Sequence, residues 1–222
     1  MTTLVLDNFI NKKYSEYFSK YYQEDLEIFE ASKRKFPKDL DKYDHIILSG
    51  SEESILNDRK WIEKEMELVR EIIDKNIPTL GICFGHQLIA RALLGLKGVR
   101  KSKTPEIGWK LVCLTKGNPL FKRLEGDFLV FNSHFDEACN LSDDFNILAS
   151  SEQCNVQAFQ IKNAPVWGVQ FHPEIDIESG KKYLMDLKKM FPQLKMKLDE
   201  AISEVEDSDI SQCFFENFYA IK

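Results

Sequence analysis

Three residues carry side chains whose combination performs nucleophilic chemistry: Cys83, His172 and Glu174. Cys83 sits in GICFG (81–85), between two glycines, at the end of an apolar run and directly before a helical pattern. G-x-C-x-G between a strand and a helix has the logic of a nucleophile elbow, a tight turn that holds the reactive atom out from the sheet. The free N–H groups and positive dipole end of the following helix favour the thiolate. His172 and Glu174 end the apolar run GVQFHPE (168–174). In extended backbone, residues two apart project to the same side. A cysteine nucleophile needs a base, and that base needs a carboxylate to orient it. His172 and Glu174 supply that pair.

The elements that must position these groups follow from periodicity. TLVLD (3–7), DLEIFEA (25–31), DHIILSG (44–50) and PTLGIC (78–83) read as buried strands. KKYSEYFSKYY (12–22) reads as a helix, as does the charged segment in which Ile62, Met66, Val69 and Ile73 recur at helical spacing, up to the Asn76-Ile77-Pro78 stop. Phe84 to Leu94 is the next helix. This alternation predicts an α/β fold, doubly wound on a mainly parallel sheet flanked by helices. From about residue 107, IGWKLVCL, DFLVFNS, FNILASS, NVQAFQI and PVWGVQF predict five further short strands with antiparallel character. An amphipathic helix (177–191) closes a domain of residues 1–194, and 195–222 form a C-terminal helical tail.

Composition narrows the function classes. With 222 residues, 43% of them hydrophobic, the chain can bury one sizeable core. A net charge of −6 offers no basic stripe for nucleic acid. No segment approaches the ~18 apolar residues of a membrane span, and MTTLVLDNF does not read as a secretory leader. Five cysteines, odd in number and without a CxxC, read as reduced thiols of a cytoplasmic protein. No G-x-x-x-x-G-K phosphate loop is present.

GICFGHQ together with GVQFHPE resembles the class I (triad) glutamine amidotransferases, over roughly residues 3 to 191. SHFDE (133–137) and the ILSGS turn (47–51) are similar to the glutaminase domain of GMP synthase and its stand-alone relatives. DKYDHIILSGS and LGICFGHQ are likewise similar to plant γ-glutamyl peptidases. The resemblance implies a flavodoxin-like fold and hydrolysis of the γ-carboxamide of glutamine to glutamate and ammonia, through a γ-glutamyl thioester on Cys83. It implies an oxyanion hole from the backbone N–H groups of Ser51 and Phe84. It also implies a substrate site of Gly50, Gln87, Ser133, His134, Phe135 and Asp136, with Asp136 placed for the α-ammonium group. The alternative is the same triad acting on γ-glutamyl peptides. No cofactor and no metal are expected; if ammonia is passed on, the acceptor site lies on a separate synthase subunit.

The sequence departs from the family in two places. Ser49-Gly50-Ser51-Glu52 stands where the family writes SGGP, and Phe135 stands where GMP synthases have glycine in SHGD. Two readings from other classes remain beside the enzyme: a metal hydrolase using His134, Asp136, His172 and Glu174, and a binding module on this fold. Of the remaining residues, His86 reads as packing, His45 as surface, Trp109 and Trp167 as core, and EDSD (206–209) as a solvated loop.

Overall fold

The structure is a computed structural model; it describes residues 1–11, 19–21, 25–124, 126–190, 192–203 and 210–222. The expected helix over 12–22 falls mostly outside the described residues, as does EDSD; of the former only Ser19–Tyr21, a 3-10 turn, is described.

Nine strands form the mixed sheet: β1 (Thr3–Asp7), β2 (Leu26–Glu30), β3 (His45–Leu48), β4 (Thr79–Ile82), β5 (Val99–Leu114), β6 (Phe128–Ala138), β7 (Phe145–Ser150), β8 (Ala158–Ile161) and β9 (Val166–Val169). Their order is β2-β1-β3-β4-β9-β8-β7-β5-β6. β2, β1, β3, β4 and β9 run parallel. β8, β7, β5 and β6 extend the sheet antiparallel. This is the doubly wound, mainly parallel sheet with added strands that the alternating pattern predicts.

Among the described residues the α-helices are α1 (Lys60–Asp74), α2 (Phe84–Leu94), α3 (Ile177–Met190), α4 (Lys195–Ser203) and α5 (Ser211–Tyr219). α2 spans the expected residues, because it starts at the Cys83 turn and stops at Gly95, whose positive φ of 68° ends it. α1 buries Trp61, Ile62, Glu65, Leu68, Val69 and Ile72. Its inward stripe therefore contains a carboxyl group that apolar periodicity passes over.

Two strands are longer than the pattern predicts. β5 begins at Val99 and β6 runs through Ala138, and the two pair antiparallel across a register shift between Lys101 and Glu106. Residues 134–137, beyond the end of the expected strand DFLVFNS, thus also lie on β6. Polar side chains hide this, since Asn132, His134 and Asp136 are buried although their types read as exposed.

Residues of the C-terminal segment enter the core. Phe214, Phe215 and Phe218 of α5 are fully buried and belong to the same hydrophobic cluster as Phe171, Trp109 and Trp167. Phe214 meets Phe121 and Phe171 at ring separations of 5.9 and 6.0 Å. The surface placement of His45 is corrected here: it is 2% exposed, its Nε2 lies 2.9 Å from the Ile221 carbonyl, and Phe218 and Tyr219 stack edge-on against it. The covering segment lies 176 residues further along the chain, so local pattern gives no sign of the burial.

Candidate active site

The parallel strands end at the site. Cys83 follows β4, and its backbone N–H still donates to Val169 of β9 at 2.8 Å. Its φ is 50° and ψ −99°, a conformation unfavourable for any residue with a side chain. The strain is therefore carried by the cysteine and not by its glycines. The glycines serve close approach: a Cβ on Gly85 would stand 2.2 Å from the Leu48 carbonyl oxygen, and one on Gly81 would stand 2.6 Å from the Gly85 backbone. With these contacts α2 is seated directly on β3 and β4, and the thiol is turned toward the cavity.

His172 follows β9, its N–H donating to the Phe131 carbonyl of β6 at 2.8 Å. Its Nδ1 lies 2.7 Å from Glu174 Oε1. A carboxylate only accepts, so Nδ1 carries the hydrogen and Nε2 is left for chemistry. Both side chains are buried. Burial works against charge on the imidazole; the Glu174 carboxylate, then the Cys83 sulfur to which the ring is hydrogen-bonded, overcome it and raise His172 from 6.5 to about 10. The structure thus brings Cys83, His172 and Glu174 into one hydrogen-bonded row, carboxylate to imidazole to sulfur.

The remaining predicted residues line the same cavity, of about 500 Å³, apart from Gly50, which borders His172. A Cβ on Gly50 would stand 3.2 Å from His172 Cε1, so glycine lets the turn lie against the imidazole. Ser51 adopts no left-handed conformation, so serine in place of the family glycine costs no strain there. Its hydroxyl donates to the Asn8 carbonyl at 2.7 Å. Phe84 opens α2, where the first N–H groups have no partner within the helix.

On β6 the predicted substrate residues divide. Asp136 is buried yet lines the cavity; Ser54 Oγ donates to its Oδ2 at 2.5 Å, and Lys101 Nζ stands 3.2 Å from Oδ1. Phe135 is half exposed at the wall. Ser133 Oγ lies 3.1 Å from the Tyr183 hydroxyl, and the Ser133 carbonyl lies 3.8 Å from Cys83 Sγ. His134 turns inward, Nε2 2.9 Å from Glu106 Oε2 and Nδ1 3.1 Å from the Asp136 carbonyl. Gln87 gives its amide hydrogens to the Asp136 carbonyl (2.7 Å) and to Gln170 Oε1 (3.1 Å). Both ring nitrogens of His134 and the Gln87 amide thus brace the wall.

The quartet proposed for a metal does not converge: His134 has both ring nitrogens turned to Glu106 and the Asp136 carbonyl, away from the His172–Glu174 pair. Among the described residues one metal-like group is present: Glu106, His134 and Cys154. Its donors are already engaged, Glu106 accepting from Ser151 at 2.8 Å and Gln157 at 2.7 Å besides His134. Burial pushes the Cys154 thiol up to about 12, away from the thiolate a metal binds.

Sequence reasoning missed Lys101, Ser54 and Gln170. Gln170 had a signal: it lies two residues before His172 on the same extended run, and its Nε2 stands 3.6 Å from Cys83 Sγ. Lys101 had none, since only the β5–β6 pairing brings it beside Asp136.

Comparison with known proteins gives the family. The model of the family "Glutamine amidotransferase class-I" matches residues 4–190. The chain is 33% identical over 184 residues to gamma-glutamyl peptidase 3 of Arabidopsis thaliana, covering 77% of this chain and 73% of that protein. It is 38% identical over 146 residues to a GMP synthase (glutamine-hydrolyzing) subunit of Methanocaldococcus jannaschii, covering 65% of this chain and 72% of that protein. A crystal structure of a glutamine amidotransferase from Thermotoga maritima superposes with a TM-score of 0.83 at 21% identity, over 99% of this chain and 96% of that one. The family match over residues 4–190, the relatives' identity and the fold together place the chain in the class I glutamine amidotransferase family.

Proposed function

We propose that the chain hydrolyses γ-glutamyl amide bonds, with glutamine as a substrate, by a cysteine acyl-enzyme mechanism. The observation that carries this is Cys83 held at φ 50° with a hydrogen-bonded His172, itself fixed by Glu174, at a cavity. Cys83 Sγ attacks the side-chain carbonyl carbon of the γ-glutamyl group. The N–H groups of Ser51 and Phe84 receive the developing oxyanion. The C–N bond breaks as His172 Nε2 gives its proton to the leaving nitrogen, which departs as ammonia from glutamine. Water then attacks the thioester, His172 takes its proton, and glutamate leaves as the thiolate re-forms. Asp136 accepts the α-ammonium group, and Lys101 beside it offers a cation for the α-carboxylate.

A second reading, γ-glutamyl peptide hydrolysis, is favoured by the cavity. At about 500 Å³ it falls in the range of sites that hold drug-sized ligands, about 300–1,000 Å³. Phe9, Ile175 and Leu187 give it apolar wall beyond what an amino acid end requires. If ammonia is the product put to use, its acceptor belongs to a separate synthase subunit.

Glutamate release from glutamine, γ-glutamyl dipeptides and glutathione, measured side by side, tests both. Turnover of glutamine abolished in Cys83→Ala supports the first. A peptide preference of about tenfold or more in kcat/KM, about 1.4 kcal/mol, hands the assignment to the second. No turnover of any γ-glutamyl compound overturns both.

A further inference from the structure

Glu65 lies on α1, a helix otherwise charged only outward, yet it points inward and is wholly buried. A buried carboxylate without a counter-charge is costly. Among the described residues its one hydrogen-bond partner is Asn8, whose Nδ2 donates to Oε1 at 3.2 Å. Two atoms of this pair, Glu65 Oε2 and Asn8 Oδ1, are buried without a hydrogen-bond partner. As a carboxylate, Glu65 has nothing to donate, and both atoms stay orphaned. As the neutral acid it has an O–H on Oε2 to offer Asn8 Oδ1 while Oε1 accepts from Nδ2, the donor and acceptor set of a reciprocal acid–amide pair. One proton satisfies both.

Asn8 grips both sides of Gly50. Its backbone N–H donates to Ser49 Oγ at 2.9 Å, and its Nδ2 also reaches the Ser49 carbonyl at 3.2 Å. Its own carbonyl accepts from Ser51 Oγ. The Ser49 carbonyl in turn accepts from the N–H of Gly85, two residues beyond Cys83. The turn and the start of α2 are therefore registered to each other through the group that Asn8 holds.

We propose that Glu65, carried as the neutral acid, is a positioning residue that fixes the Gly50–Ser51 turn against the nucleophile through Asn8. The proposal rests on the reading of that turn as half of the oxyanion hole. Burial raises the Glu65 carboxyl from 4.5 to about 8, and the Asn8 hydrogen bond opposes this only in part. Asp7 of β1 accepts from the Phe9 N–H, Arg91 of α2 pairs with Asp58, His86 of α2 is held neutral by burial, and the other charges of α1 face outward. None of them contributes to the shift. Above about pH 8 the carboxylate faces a bare Oδ1, and the clamp opens.

The test measures kcat and KM across pH for wild type, Glu65→Gln and Glu65→Ala, together with infrared spectra of the wild type and Glu65→Gln. Glu65→Ala is expected to lose about ten- to a hundredfold in kcat with little change in KM, less than direct loss of an oxyanion donor. Glu65→Gln, whose amide donates to Oδ1 and accepts from Nδ2, is expected to restore kcat and to lack the wild-type decline above about pH 8. A buried protonated-carboxyl band is expected in the wild type near neutral pH and absent in Glu65→Gln. Equal impairment of the two variants, an unchanged alkaline decline in Glu65→Gln, or no such band overturns the proposal. If the wild type turns over no γ-glutamyl compound, the functional reading falls, while the band still decides the state of Glu65.

Discussion

Replacing Glu174 with glutamine removes one charge and leaves a group of the same shape. In the wild type the carboxylate lies 2.7 Å from His172 Nδ1. Burial disfavours the imidazolium, and Glu174 with Cys83 reverses this, raising His172 from 6.5 to about 10. Removing the charge from one side of the charge-assisted hydrogen bond that holds this imidazole costs about 1.5–3 kcal/mol. That corresponds to roughly 10- to 150-fold in kcat/KM. The sign for pH follows: a lowered His172 loses its proton at lower pH, so the acid needed by the leaving nitrogen is depleted earlier and the alkaline limb moves down. Glutamate release by Glu174→Gln, across neutral to alkaline pH, checks both. His172→Ala should fall nearly to the level of Cys83→Ala, because members of such a relay act as a unit. Glu174→Gln with wild-type kcat/KM, or as inert as Cys83→Ala, refutes the argument.

An electrophilic glutamine analogue should label Cys83 first, read by peptide mapping. Burial raises Cys154 and Cys139, and a hydrogen bond with Asp127 raises Cys113, so these thiols compete poorly. Phe135→Gly should alter KM for glutamine more than kcat, as expected for a contact made equally in ground and transition states. Phe214→Ala should destabilise the fold by about 3–5 kcal/mol. Thermal unfolding would then show a Tm lower by about 2–4 °C per kcal/mol, whereas an unchanged Tm would mean that α5 does not contribute to the core. Glu65 adds a stability slope: with its folded-state value at about 8 against 4.5, stability is lost as pH rises between the two. Urea unfolding of Glu65→Gln should lack that slope.

The order of strands β1 to β4 with helices α1 and α2, the turn at Cys83, and the pairing of His172 with Glu174 were legible in the chain. Each depends on residues close in sequence: alternation within a strand, Cys83 between a strand and a helix, two side chains on one side of an extended run. What tertiary structure alone decided lies between distant segments. The strain at the elbow falls on Cys83 because Gly81 and Gly85 are used for close packing, which only the seating of α2 on β3 reveals. Residues 134–137 became strand because β5 pairs with them, and that pairing set Lys101 beside Asp136. His45 is buried by chain 176 residues away. Glu65 reads as one more charge on a charged helix until Asn8, 57 residues earlier, is folded against it. A polar side chain is buried when a partner satisfies it, and the identity of that partner is settled by the packing of elements and not by local pattern.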